Sequence, residues 1–148
     1  MEFNQLIADF AKRHNVENLV VVDGAAALDI DGIIVTIVAK GEVLNFSAEI
    51  GDPPAEGAAV FANLLLEANT MSSAVFAKVP DPGQYVVVQR LQLALVDGDA
   101  FDAALEAFVN QAETWRRLLA DFRPVAKAAA ESEEAGRPSL GTSGFMQV

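Results

Sequence analysis

Ile33-Ile34-Val35-Thr36-Ile37-Val38-Ala39-Lys40, entered through Asp31-Gly32 and left through Lys40-Gly41, is the stretch on which the fold turns. Its branched side chains suit a pleated strand. Both alternating faces are mostly apolar, so the spacing predicts a strand covered on two sides. Asp31-Gly32 is a strong hairpin signal, because both central residues of a type I′ turn need positive φ. Ala25 to Ile30 therefore reads as the strand before the turn, preceded across Asp23-Gly24 by the short β-branched run Leu19 to Val22. After Lys40-Gly41, Leu44, Phe46, Ala48 and Ile50 alternate with Asn45, Ser47 and Glu49, the period of a half-buried antiparallel strand. A three-stranded meander follows.

Helices flank it. Phe3, Leu6, Ile7, Phe10 and Ala11 make an amphipathic stripe that ends near His14-Asn15. Gly51-Asp52-Pro53-Pro54 breaks the sheet, and Ala55 to Asn69 reads as a second helix with Val60, Phe61, Leu64, Leu65 and Ala68 on one face. A second seam, Ala55, Ala59, Ala62 and Leu66, is small enough for another backbone to approach. Met71 to Val79 and Gln84 to Leu95 form a hairpin about Pro80-Asp81-Pro82-Gly83. Asp99 is placed to cap a last helix, whose Phe101, Leu105, Phe108, Ala112, Trp115, Leu119 and Phe122 repeat at alternating spacings of four and three. The expected fold is α+β, a twisted antiparallel sheet in the order α-β-β-β-α-β-β-α. Residues 1–123 make one domain. Residues 124–148, acidic and rich in Gly and Pro, read as a flexible tail with an apolar end at Phe145, Met146 and Val148.

The 148 residues carry 10 Lys and Arg against 21 Asp and Glu, a net charge of −11 that repels phosphate backbones and anionic membranes. No nucleic-acid partner and no membrane insertion are expected. With no Cys and one His, thiolate chemistry, His-based triads and zinc clusters have no ligands to use. Asp29 and Asp31 flank Ile30 and could share a strand face as a cation site or acid–base pair, but acids beside an Asp-Gly turn are ordinarily turn residues. Asp97, Asp99 and Asp102 are explained by capping and the helix dipole, and His14 by the carbonyls ending the first helix. Arg116-Arg117 beside Trp115 could stack on an aromatic ligand. A solvated face with Trp115 in the core is the simpler account. Catalytic residues, cofactors and metals are all expected to be absent. The remaining surplus of apolar surface points to binding.

The second helix closes as Leu64-Leu65-Leu66-Glu67-Ala68-Asn69, and the last runs Ala104-Leu105-Glu106-Ala107-Phe108-Val109-Asn110-Gln111-Ala112-Glu113-Thr114-Trp115. With the order of elements, these segments resemble the type III secretion chaperones of the Tir-chaperone (CesT/SycE-like) family over residues 3 to 122. The resemblance implies a dimeric, cytoplasmic bacterial chaperone, not an enzyme, that holds the N-terminal segment of a secreted effector extended and export-competent and delivers it to the export apparatus. A dimeric α+β ligand-binding or regulatory module is the alternative. The dimer contact is expected at Ala59, Ala62, Leu66 and Phe76, and the client surface at Phe3, Ile7, Ile34, Val38 and Phe46.

Overall fold

A computed structural model of the protein describes residues 2–123. The expected tail, residues 124–148 with Phe145, Met146 and Val148, lies outside them. The elements run α1 (Phe3–His14), β1 (Leu19–Val22), β2 (Ala25–Ile30), β3 (Ile33–Lys40), β4 (Val43–Gly51), α2 (Ala58–Ala68), β5 (Val75–Lys78), β6 (Tyr85–Gln92), a short 3-10 turn over Leu93–Leu95, and α3 (Gly98–Ala120). The strands form one antiparallel sheet in the order β1-β2-β3-β4-β6-β5. The α+β antiparallel fold is the one expected, with one addition. Leu19–Val22 is a strand in its own right, so the meander has four strands.

The turns obey local sterics. Asp23, Gly24, Asp31 and Gly32 all have positive φ, as two-residue hairpins require. Gly51, where the pairing of β4 with β6 shifts register, has φ 145°. A Cβ there would stand 2.9 Å from the Leu119 side chain, so the missing methyl lets the end of α3 close on the sheet.

One face of the sheet carries the core. Ile33, Val35 and Ile37 of β3 point inward beside Leu28 of β2 and Leu44, Phe46 and Ala48 of β4, all buried. Phe46 sits edge-on between Phe101 and Phe108 of α3, with ring centroids 5.8 and 5.6 Å away. Phe10 of α1 meets Phe101 at 5.5 Å. A second aromatic group surrounds Phe61 of α2, which touches Tyr85, Trp115 and Phe122 at 5.7, 6.0 and 5.2 Å. Trp115 is thus half-buried against the core, packed also on Phe76 at 4.9 Å.

Some expected boundaries move. The α3 cap is Asp97, whose carboxylate accepts the Ala100 N–H at 2.8 Å, and Asp99 falls in the first turn. Helix α2 starts at Ala58, which leaves Ala55 outside it, and only Phe61 and Leu65 of its stripe are fully buried. Val60 and Leu64 stay exposed.

The two sheet edges differ. On β5 the Phe76 N–H donates to Asn69 Oδ1 at 2.6 Å, and Asn69 Nδ2 donates back to the Phe76 carbonyl at 3.1 Å. The Ala74 N–H donates to Ser72 Oγ. Side chains thus occupy backbone groups that a further strand would use. On β1, the two-residue turn makes Val22 and Ala25 the closing hydrogen-bonded pair, and alternation from there turns the N–H and C=O of Leu19 and Val21 to the open side.

Candidate functional site

Among the described residues no three His, Asp or Glu side chains cluster as metal ligands. Asp29 and Asp31 do not form a shared strand face: Asp29 accepts the Gly32 N–H at 3.0 Å, and Asp31 lies in the turn itself with φ 52°. His14 does not cap α1. Asn15, in the left-handed conformation, ends that helix through its own N–H to Ala11, and the His14 ring leans on Phe10 with Nε2 3.1 Å from Asp102 Oδ2. Arg13 reaches the same carboxylate with Nε at 3.1 Å and Nη2 at 2.5 Å. Arg116 points to the Gly32 carbonyl and Arg117 to Glu113.

Asp102 therefore pins α1 to α3. Partial burial pushes its carboxyl upward, but the hydrogen bonds from Arg13 and His14 and the Arg13 charge outweigh that and hold it below the usual carboxylate range. A lowered folded-state value contributes stability that is present above the unfolded value and is lost as pH falls through the folded one. Asp102→Asn is expected to lower the Tm slightly at neutral pH, with the difference from the parent closing on acidification. Thermal melts across the acid range check this, and a gap that persists unchanged in acid would locate its source elsewhere.

Two apolar surfaces lie uncovered. On the first, α2 and β5 border a hollow of about 370 Å³ lined by Pro53, Ala59, Ala62, Leu66, Ala77 and Tyr85, among others. Leu66 of α2, Val75 of β5 and Met71 in the turn between them stand exposed. The structure thus brings Ala59, Ala62 and Leu66 together, but not Phe76, which is 4% exposed and turned into the core against Trp115. Its neighbours Val75 and Ala77 face outward instead, because strand side chains alternate.

The second surface is the outer face of β1 to β4, which no helix covers. Ile34 is 61% exposed, and Val38, Val20 and Val22 accompany it. Cross-strand pairing sets Val22, Ala25 and Val38 in one row and Val20, Ala27 and Thr36 in the next. Of the residues expected to meet a client, Ile34 and Val38 lie on this face. Phe3, Ile7 and Phe46 do not: they are 8, 0 and 0% exposed, held in the core by the inward phase of α1 and β4. The exposed Val20–Val22 edge, absent from that expectation, had a signal in its unbroken β-branched sequence.

No curated protein sequence matches the chain. The family model of the Tir chaperone protein (CesT) family matches residues 5–116. Among solved structures, a chain of the ExsC–ExsE complex is 22% identical, with a TM-score of 0.67 over 80% of this chain and 97% of that one. A chain of the HopA1–SchA chaperone–effector complex is 15% identical, with a TM-score of 0.64 over 78% and 93%. A chain of the Yersinia pestis type III secretion chaperone SycH in complex with a fragment of YscM2 is 18% identical, with a TM-score of 0.62 over 77% and 99%. At such identities the likeness is one of fold. The family match covers most of the sequence, and the chain belongs to the Tir chaperone protein (CesT) family of type III secretion chaperones.

Proposed function

We propose that this chaperone works in the bacterial cytoplasm as a homodimer joined through α2 and β5, and that each protomer holds an N-terminal effector segment extended along the β1 edge. The observation that carries the client site is the contrast between the sheet edges. Side chains occupy the outward N–H and C=O of Phe76 on β5 and the N–H of Ala74 just ahead of it, whereas among the described residues β1 presents Leu19 and Val21 unpaired, with Val20, Val21 and Val22 exposed. An added strand gains main-chain hydrogen bonds from such an edge and selectivity from the side chains beside it, here Ile34 and Val38. A client ordered only on the chaperone gives up part of its contact energy to entropy, so it stays releasable. Of the three complexes compared above, HopA1–SchA is a chaperone–effector complex; the extended mode rests on this chain's own edge.

Support for the dimer is the composition of α2, which is apolar nearly all round yet buries only Phe61 and Leu65 fully. Delivery to the export apparatus completes the role. Ile34→Ser and Val38→Ser change outward-facing side chains that lie outside the core, so each is expected to leave the Tm within about 2–4 °C of the parent. Both are expected to lose co-purification of an effector segment that the parent retains. Undiminished retention in the double variant would place the client elsewhere.

A further inference from the structure

Residues Asn15 to Asn18, which lead from α1 into β1, form one wall of a groove of about 650 Å³. Its other walls are the β2–β3 turn and the N-terminal half of α3. Phe10, Ile30, Leu105 and Val109 contribute apolar lining, while Glu17, Asp29, Asp31, Asp102 and Glu106 bring carboxylates to it. Arg13 and His14 engage Asp102, and Arg116 reaches the turn only at the Gly32 carbonyl. Among the described residues no ion pair engages Glu17, Asp29, Asp31 or Glu106. The groove is therefore negative, with apolar side chains in its lining, and lies where the open edge begins.

We propose that this groove receives basic side chains, arginine or lysine, of the client segment immediately following the strand that adds to β1. The proposal rests on the edge assignment above and extends it to the chemistry of the client. An arginine or lysine lays its alkyl stem on apolar surface and keeps its charged head among acceptors, and the lining of this groove offers both. The direction follows from the sheet. Every pairing in it is antiparallel, the more stable arrangement per residue. A strand antiparallel to β1 leaves the edge at Leu19 and continues past Asn15 to Asn18.

The test uses the full chain and two fluorescein-labelled synthetic peptides of identical composition. One has alternating valine and threonine followed by Gly-Arg-Arg; the other has Arg-Arg-Gly ahead of the same repeat. Their charge is equal, so the protein's overall negative field cannot separate them. Fluorescence anisotropy is expected to show the first binding about fivefold more tightly, as two partly exposed charge contacts allow. Glu17→Gln with Glu106→Gln is expected to remove that advantage. Glu42→Gln with Glu67→Gln, the same change in charge on the β3–β4 turn and the end of α2, is expected to keep it. Val21→Pro deletes an outward N–H and sets a ring in its place, at a position where an edge strand tolerates proline, and is expected to abolish binding of both peptides. Equal affinities that are both lost in Val21→Pro would overturn the groove and leave the edge standing. Loss of the advantage in the remote pair would also overturn the groove. Absence of binding by either peptide, or binding indifferent to Val21→Pro, would overturn the edge assignment and the groove with it.

Discussion

Ala62→Glu is expected to yield a monomer at micromolar concentration by light scattering, with the protomer still folded. Ala62 lines the hollow between α2 and β5 and is only half-buried within one protomer, so the larger side chain does not disturb its core. In the proposed dimer the same position is covered, and an unpaired carboxylate there costs on the order of 3 kcal/mol or more. That corresponds to about a hundredfold weaker association. Lys78 lines the same hollow and offers a glutamate one escape. Ala62→Arg, which Lys78 repels, closes it and is expected to give the same monomer. Two variants that both remain dimeric would move the contact away from α2.

The second large effect lies in the core. Phe46→Ala removes a ring that is 0% exposed and contacts both Phe101 and Phe108. A buried Phe→Ala change costs about 3–5 kcal/mol, a large share of the roughly 5–15 kcal/mol that stabilises a domain. The Tm is expected to fall by about 10–20 °C. Calorimetry on this variant beside Ile34→Ser separates the roles of two residues first grouped as client contacts: Phe46 acts on stability and Ile34 on retention. A Phe46→Ala protein that melts like the parent would contradict its place in the core.

Period was legible in the sequence, and phase was not. Asp31-Gly32 and the alternation from Leu44 to Ile50 marked the hairpin and the half-buried strand, because turn sterics and side-chain alternation are local. In Ile33 to Ala39 both faces are apolar, so nothing local says that Ile33, Val35 and Ile37 turn inward and Ile34 and Val38 outward. Helix α3 decides it, by packing on one side of the sheet. Phe76 misled for a related reason: a large aromatic on a short strand fits an interface or a core equally well, and Trp115, 39 positions later, claims it. The acidic groove was illegible because its walls come from three separated segments. The Asp102 clamp joins residues 88 and 89 positions apart, beyond any spacing rule.

The Asn69 amide on the β5 edge has a consequence best put in the language of polymer chemistry. A unit with two reactive ends propagates; a unit with one reactive end terminates. A sheet open at both edges is of the first kind, and copies of it can join edge to edge without limit. With Asn69 on Phe76 and Ser72 on the Ala74 N–H, the protein's own side chains cap one end of this sheet at its middle and entry. The protomer is left monofunctional toward extended chains, so a strand accepted at β1 ends the growth that it begins.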